Sequence, residues 1–294
     1  MSSTAIRTVL FGLTGFGNEI LKAICADPRL ELAAVFTRSY PTPFPYYEIP
    51  QLHELCGALH IPCQTNVRVS SGSGWKSLTR YRPDLILMAG FHQILRENVL
   101  ALPRLGVVNL HPSLLPKLRG SDPIQAVLLD GEAETGVTYH YATPEVDAGN
   151  VLLQARYEVS PVETNGSLRR NLARLAASRL PQLIDQFHGT KKPPGTPQHS
   201  APTNGNRRFG EPVRVNRSMA PRTVDRLVRA LTPFPGVTLE MDGVERSVIH
   251  SEWISNVQRE VARSDGAASR IILADESGTA TLELGAARSG GKPY

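Results

Sequence analysis

Apolar runs and amphipathic stretches take turns along the first half of the chain. Ile6–Leu13 is an apolar, β-branched run ending at glycine, and it predicts a buried strand. Glu19–Ala26 predicts a helix, Leu32–Thr37 a second strand, Gln51–Leu59 a helix and Ile61–Gln64 a short third strand. Asp84–Ala89 and Val107–Leu110 show too little polar alternation for either face to meet water. Buried strands separated by helices predict βαβ units and a parallel sheet covered on both faces. Gly136–Tyr141 and Val151–Val159 predict two more strands around the loop Thr143–Asn150. Leu168, Leu172, Leu175, Leu183, Ile184 and Phe187 recur at helical spacing across Asn165–His188. That helix should cover the sheet, and Pro181 should kink or split it.

The pattern changes near residue 190. Residues 189–212, GTKKPPGTPQHSAPTNGNRRFGEP, have no apolar period and predict an extended linker. Thr223–Leu231 predicts a helix with Val224, Leu227, Val228 and Leu231 inward. Short strands follow, with turn signals at Asp242-Gly243, Asp265-Gly266 and Ser277-Gly278. The expectation is an α/β, doubly wound, mostly parallel domain over 1–190. A linker over 191–212 and a smaller β-rich, OB-like domain over 213–294 follow it.

Composition narrows the function classes. Of 294 residues, 41% are apolar and 20% charged, enough for a packed core and too apolar for wholesale disorder. Residues 1–200 hold 19 Lys and Arg against 16 Asp and Glu, and residues 201–294 hold 13 against 11. Neither part is a basic module of the kind that nucleic acid selects. The three cysteines, Cys25, Cys56 and Cys63, form no C-x-x-C pair, which argues for a reducing compartment. With no signal-like start and no long apolar run, a cytoplasmic protein that does not contact membrane is expected. The histidines show neither HxxxH nor HExxH spacing, so no metal is expected.

Two places carry candidate chemistry. Gly12-Leu13-Thr14-Gly15-Phe16-Gly17 follows the first strand and opens a helix, with Arg38 after the second strand. An NADP-binding oxidoreductase would use such a turn and such an arginine; a tight strand-to-helix turn needs the glycines anyway. The second place is richer. Asn109 and His111 are two apart at the end of a buried strand, so both face one side. Asp147 lies in a glycine-containing loop between two later strands. An amide donor, an imidazole and a carboxylate can stabilise an oxyanion and move a proton. A satisfied core histidine beside a turn aspartate is the alternative.

Around these residues, NLHPSLLPKLRG at 109–120, ETGVTYH at 134–140 and VDAGNVLLQ at 146–154 resemble the folate-dependent formyltransferases. Ala89-Gly90-Phe91-His92-Gln93-Ile94-Leu95 resembles the folate-side loop of that family, and DRLVRALTPFPG at 225–236 the start of its C-terminal domain. The resemblance is close from Asp84 to Gln154 and weaker from Ile6 to Gln64. It implies a Rossmann-like catalytic domain, 10-formyltetrahydrofolate as co-substrate and a primary amine as acceptor. Asn109 and a protonated His111 would donate to the oxyanion, and Asp147 would hold the imidazolium and pass a proton. His92, Gln93, Ile94, Leu95, Leu114, Leu115, Pro116, Thr143 and Val146 would line the folate pocket. A non-catalytic relative that keeps the fold for binding is the remaining class.

The acceptor is read from departures. The tRNA-acting members carry a Lys- and Arg-rich loop after the second strand, whereas Thr37–Pro50 here holds only Arg38 and Glu48. RVNRSM stands where an I-D-W-like segment belongs. Both favour a small-molecule amine, such as an amino-sugar nucleotide, over initiator tRNA. The purine-pathway member lacks a C-terminal domain and is disfavoured. Tyr46-Tyr47 could cap an acceptor site. Arg207, Arg208, Arg214, Arg217 and Arg222 could meet a phosphate or simply face solvent.

Overall fold

The computed structural model describes residues 5–40, 49–187, 191–207, 209–241, 243–255 and 270–287. Tyr46-Tyr47, Arg208, Asp242 and the Asp265-Gly266 turn lie outside them. The chain forms two compact units, one of 1–120, 134–158 and 169–205, the other of 121–133, 159–168 and 206–294.

The first unit is built on seven strands: β1 (Ile6–Gly12), β2 (Leu30–Thr37), β3 (Cys63–Thr65), β4 (Leu85–Ala89), β5 (Val107–His111), β6 (Glu134–Tyr141) and β7 (Val151–Glu158). Their order is β3-β2-β1-β4-β5-β6-β7. Ladders from β3 to β5 are parallel; β6 runs antiparallel to both β5 and β7. The sheet is therefore mostly parallel, as expected, with an antiparallel turnaround where the Asp147 loop begins. The central strands are nearly continuous in burial because both faces are covered. Val9, Phe11, Phe36, Ile86, Met88 and Val107 share one core cluster with Leu78, Leu95 and Val99.

Helices α1 (Phe16–Ala26), α2 (Leu52–Ala58), α3 (Gly72–Tyr81) and α4 (Glu97–Leu100) connect these strands. Helix α5 (Pro123–Asp130) precedes β6, and α6 (Asn165–Ile184) follows β7. Pro181 does not split α6. It stands in the last turn, where it forfeits one N–H bond, to the Ala177 carbonyl, and the helix runs on to Ile184. Tyr139 adds a cross-layer bond, its hydroxyl donating to the Ala176 carbonyl at 2.9 Å.

The stretch expected as an extended linker is tied down over 191–205. Val151 and Thr196 exchange N–H···O bonds of 2.8 and 2.7 Å, Arg119 donates to Thr203 at 2.9 Å, and Gly205 donates back to Arg119 at 2.7 Å. Backbone groups hold this strap, so no apolar period announces it.

The second unit has strands β8 (Val213–Val215), β9 (Val237–Met241), β10 (Val244–Ser255), β11 (Arg270–Asp275) and β12 (Gly278–Ala287), with α7 (Pro221–Leu231) packed on them. The order is β11-β12-β10-β9-β8. Among the described residues no ladder joins β8 to β11. The turn expected at Ser277-Gly278 is present, with Asp275 Oδ1 accepting from both backbone N–H groups. Asp225 of α7 is buried and paired with Arg229 at 2.9 Å and with the Ser251 hydroxyl at 2.8 Å. No helix among the described residues is long and apolar enough to cross a membrane.

Candidate active site

Asn109 and His111 alternate with buried apolar residues on β5 and so share a face at its C-terminal end. Asp147 reaches them from the loop 142–150. Its Oδ1 accepts from Asn109 Nδ2 at 3.2 Å, and its Oδ2 lies 3.4 Å from His111 Nδ1. The Gly120 N–H donates to the same Oδ2 at 2.9 Å. Asp147 has φ 52°, a left-handed conformation that a short polar side chain tolerates. Gly149 lets the loop press on β6, because a Cβ there would run into the Tyr141 carbonyl. The three residues singled out in the sequence are thus brought together.

A fourth residue belongs with them. His140 of β6 is the register partner of Asn109, and it is fully buried. Its Nε2 lies 3.0 Å from Asn109 Nδ2 and 3.5 Å from Asp147 Oδ1. Its Nδ1 lies 2.9 Å from the Tyr141 carbonyl oxygen, which only accepts, so Nδ1 carries a hydrogen. The same reasoning applies to His111. Its Nε2 is 2.9 Å from the Leu118 carbonyl and carries a hydrogen, leaving Nδ1 bare when the ring is neutral.

Electrostatics separate the two acidic and basic partners. Burial would raise the Asp147 carboxyl, but the His140 ring nitrogen, the His111 imidazole and the Gly120 N–H outweigh it and hold the carboxyl at about 2. Burial pushes His111 below the ordinary imidazole range, against the pull of Asp147 and the Leu118 carbonyl, and His140 adds to the downward push. The sequence expectation of a protonated His111 therefore changes. In this arrangement its neutral form is favoured, and it is poised to accept a proton.

The profile of the family described as formyl transferase matches residues 64–184. A methionyl-tRNA formyltransferase of Roseiflexus castenholzii is 31% identical over 248 residues, covering 83% of this chain and 79% of that one. One of Thermotoga maritima is 32% identical over 247 residues, covering 82% and 77%. The chain belongs to the formyl transferase family. Among solved structures, the N-formyltransferase of Helicobacter canadensis, in complex with folinic acid and dTDP-3-aminofucose, superposes with a TM-score of 0.65 at 15% identity, covering 95% and 99%. That likeness is one of fold.

Membership of the formyl transferase family leaves the oxidoreductase reading unsupported, and the glycine turn shows why none is needed. A Cβ on Gly12 would sit 3.1 Å from Gly17 Cα, and one on Gly17 would sit 2.6 Å from Leu52 Cδ2. Close packing of β1, α1 and α2 explains both glycines. Arg38 lies over the Tyr40 ring, 5.3 Å from its centroid.

The residues expected along the folate pocket fall into two groups. A cleft of about 450 Å³ opens beside the Asp147 loop, lined by Leu100, Val107, Tyr141, Ala142 and Thr143 among others. Thr143 was expected there; Leu100, Val107 and Ala142 were not, because they read as core. Ile94 and Val146 are apolar yet 78% and 53% exposed. His92 is exposed, tilted against Phe91 with ring centroids 5.0 Å apart, and partial desolvation and the Arg38 charge lower its imidazole. The others are committed to the scaffold. Gln93 clasps the 67–69 loop through the Val67 carbonyl and Val69 N–H, and Leu95 sits in the core. Leu114 packs over Gly136. Leu115 is buried, its N–H on Thr138 and its carbonyl on Gln154, and the Pro116 carbonyl accepts from Thr203.

Gln198, on the strap, is the other residue the sequence did not mark. Its Nε2 donates to the carbonyls of Asp147 and Gly149 at 2.9 and 2.8 Å, and its Oε1 accepts from Arg119. It fixes the backbone that aims the Asp147 carboxylate.

Proposed function

We propose that the protein transfers a formyl group from 10-formyltetrahydrofolate to the primary amine of a small molecule. The convergence of Asn109, His111 and Asp147 carries this reading. The cleft of about 450 Å³, where Leu100, Val107 and Ala142 stand with Thr143, Asn150 and Lys192, fits a flat ring with polar edges. Thr143, Ala142, Val107 and Leu100 would hold that ring.

When bound, the folate supplies an activated formyl carbon; the residues do the rest. Asn109 turns an amide hydrogen to the formyl oxygen as negative charge grows there. Removing such a donor costs roughly 2.7–4 kcal/mol of transition-state stabilisation. The attacking amine gives up a proton, and neutral His111 accepts it at Nδ1, beside Asp147 Oδ2. The resulting imidazolium sits against a carboxylate held ionised, and it returns the proton to the departing nitrogen. Positioned proton transfer of this kind is worth roughly 10²–10⁴-fold.

The neutral loop Thr37–Pro50 favours a small acceptor, such as an amino-sugar nucleotide, since an RNA acceptor needs phosphate-neutralising cations. The relatives from Roseiflexus and Thermotoga support the second reading, initiator tRNA. Incubation with the formyl donor and a panel of amines, including amino-sugar nucleotides and charged initiator tRNA, followed by mass spectrometry, tests both. A mass gain of one formyl on a small amine supports the proposal. Formylation of the tRNA alone replaces it with the second reading, and formylation of nothing refutes both.

A further inference from the structure

Counting donors at the site shows that none is free. Asn109 has two amide hydrogens. One points to Asp147 Oδ1 at 3.2 Å, and the other has His140 Nε2 at 3.0 Å as its acceptor. That second bond requires His140 Nε2 to be bare, which fits a neutral ring whose hydrogen is fixed on Nδ1 by Tyr141. In this state the amide has nothing to offer a substrate oxygen.

We infer that His140 is a positioning residue that gates Asn109: a proton on His140 Nε2 releases an Asn109 amide hydrogen for the substrate oxygen. The inference rests on the formyl-transfer reading and deepens it. Once protonated, Nε2 can no longer accept from Asn109 and instead faces Asp147 Oδ1, 3.5 Å away. Asp147 then has a cation of its own, and the freed amide hydrogen turns to the site. Two titratable side chains among the described residues, Asp147 and His111, face His140. Asp147 approaches from the 142–150 loop, and His111 approaches from β5 with ring centroids 6.5 Å apart. From β7 the register partner is Val151, which carries no charge. With His140 charged, repulsion keeps His111 neutral and able to take the amine proton. At the transition state the two imidazoliums face two negative charges, Asp147 and the developing oxyanion. Charge therefore balances inside a buried site, where an unpaired ion is costly.

The test uses the full chain and NMR. The ring signals of His111 and His140, and the side-chain amide of Asn109 in asparagine-labelled protein, are followed from about pH 9 to about pH 5, the range in which imidazoles titrate. The expected result is that one Asn109 amide hydrogen shifts with the same midpoint as the His140 ring signals. In His140→Gln the side-chain oxygen accepts permanently, so the Asn109 shift disappears. There kcat should fall by about 10²-fold, the size of a lost oxyanion donor, with donor KM unchanged and the alkaline limb of the kcat profile gone. A simple packing role would not remove that limb. An Asn109 signal indifferent to His140 protonation overturns the inference. If the variant does not fold, the wild-type titration decides alone. If the titration behaves as expected and no amine is formylated, the functional proposal fails and only the coupling of His140 protonation to the Asn109 amide stands.

Discussion

At the scale of the residue, Asp147 has the clearest thermodynamic signature. Its carboxyl lies near 2 in the folded protein against an ordinary 3.8, so the unfolded chain binds the proton first as pH falls. The contribution, roughly 2 kcal/mol by the usual 1.36 per pKa unit, is complete above about pH 4 and is lost on going down to about pH 2. His111 acts in the same direction at higher pH. Its folded value is depressed below 6.5, so stability should begin to fall as pH drops through about 6.5. Denaturant unfolding of the wild type and Asp147→Asn as a function of pH checks this. The gap between the two proteins should narrow by roughly 2 kcal/mol between about pH 4 and pH 2; a constant gap would show that the carboxylate is not held as described. At neutral pH, Asn109→Ala should lower kcat by about 10²–10³-fold in a formylation assay, with stability changed by no more than about 1–2 kcal/mol.

At the scale of the element, the loop 142–150 is held from two sides, by β6 through Gly149 and by the 191–205 strap through Gln198. Gly149→Ala should push the loop off Tyr141, costing about 1–3 kcal/mol in thermal unfolding and most of the activity. Gln198→Ala removes two hydrogen bonds to loop carbonyls, about 0.5–1.5 kcal/mol each, and should speed amide exchange within residues 147–150 while leaving β1 and β4 protected. The strands of the parallel core were legible because burial on both faces leaves apolar runs such as Leu85–Ala89. Helix α3 was not, since it opens on Gly-Ser-Gly and buries only Gly74 and Leu78. The strap was read as a linker because main-chain bonds fix it. Asn109, His111 and Asp147 stood out as polar groups at a strand end and in a glycine loop. His140 did not: in a strand buried from Thr135 to Tyr141, one more polar residue gives no periodic signal, and only the register with Asn109 reveals its use.

At the scale of the whole molecule, family membership and the sheet order agree, and the site falls where β5 and β6 meet in opposite directions. Calorimetry should show binding of a folate donor analogue and none of NADPH, because the glycine turn is filled by packing against Leu52. Tight NADPH binding with no folate binding would reverse that assignment. The most direct measurement is single-turnover formyl transfer at saturating 10-formyltetrahydrofolate, with wild type and Asp147→Asn compared on the acceptor that the panel identifies. The wild type should release tetrahydrofolate and formylated amine in equal amounts, and the variant should bind the donor but transfer at least about 10²-fold more slowly. Equal rates in the two proteins would contradict the role given to Asp147.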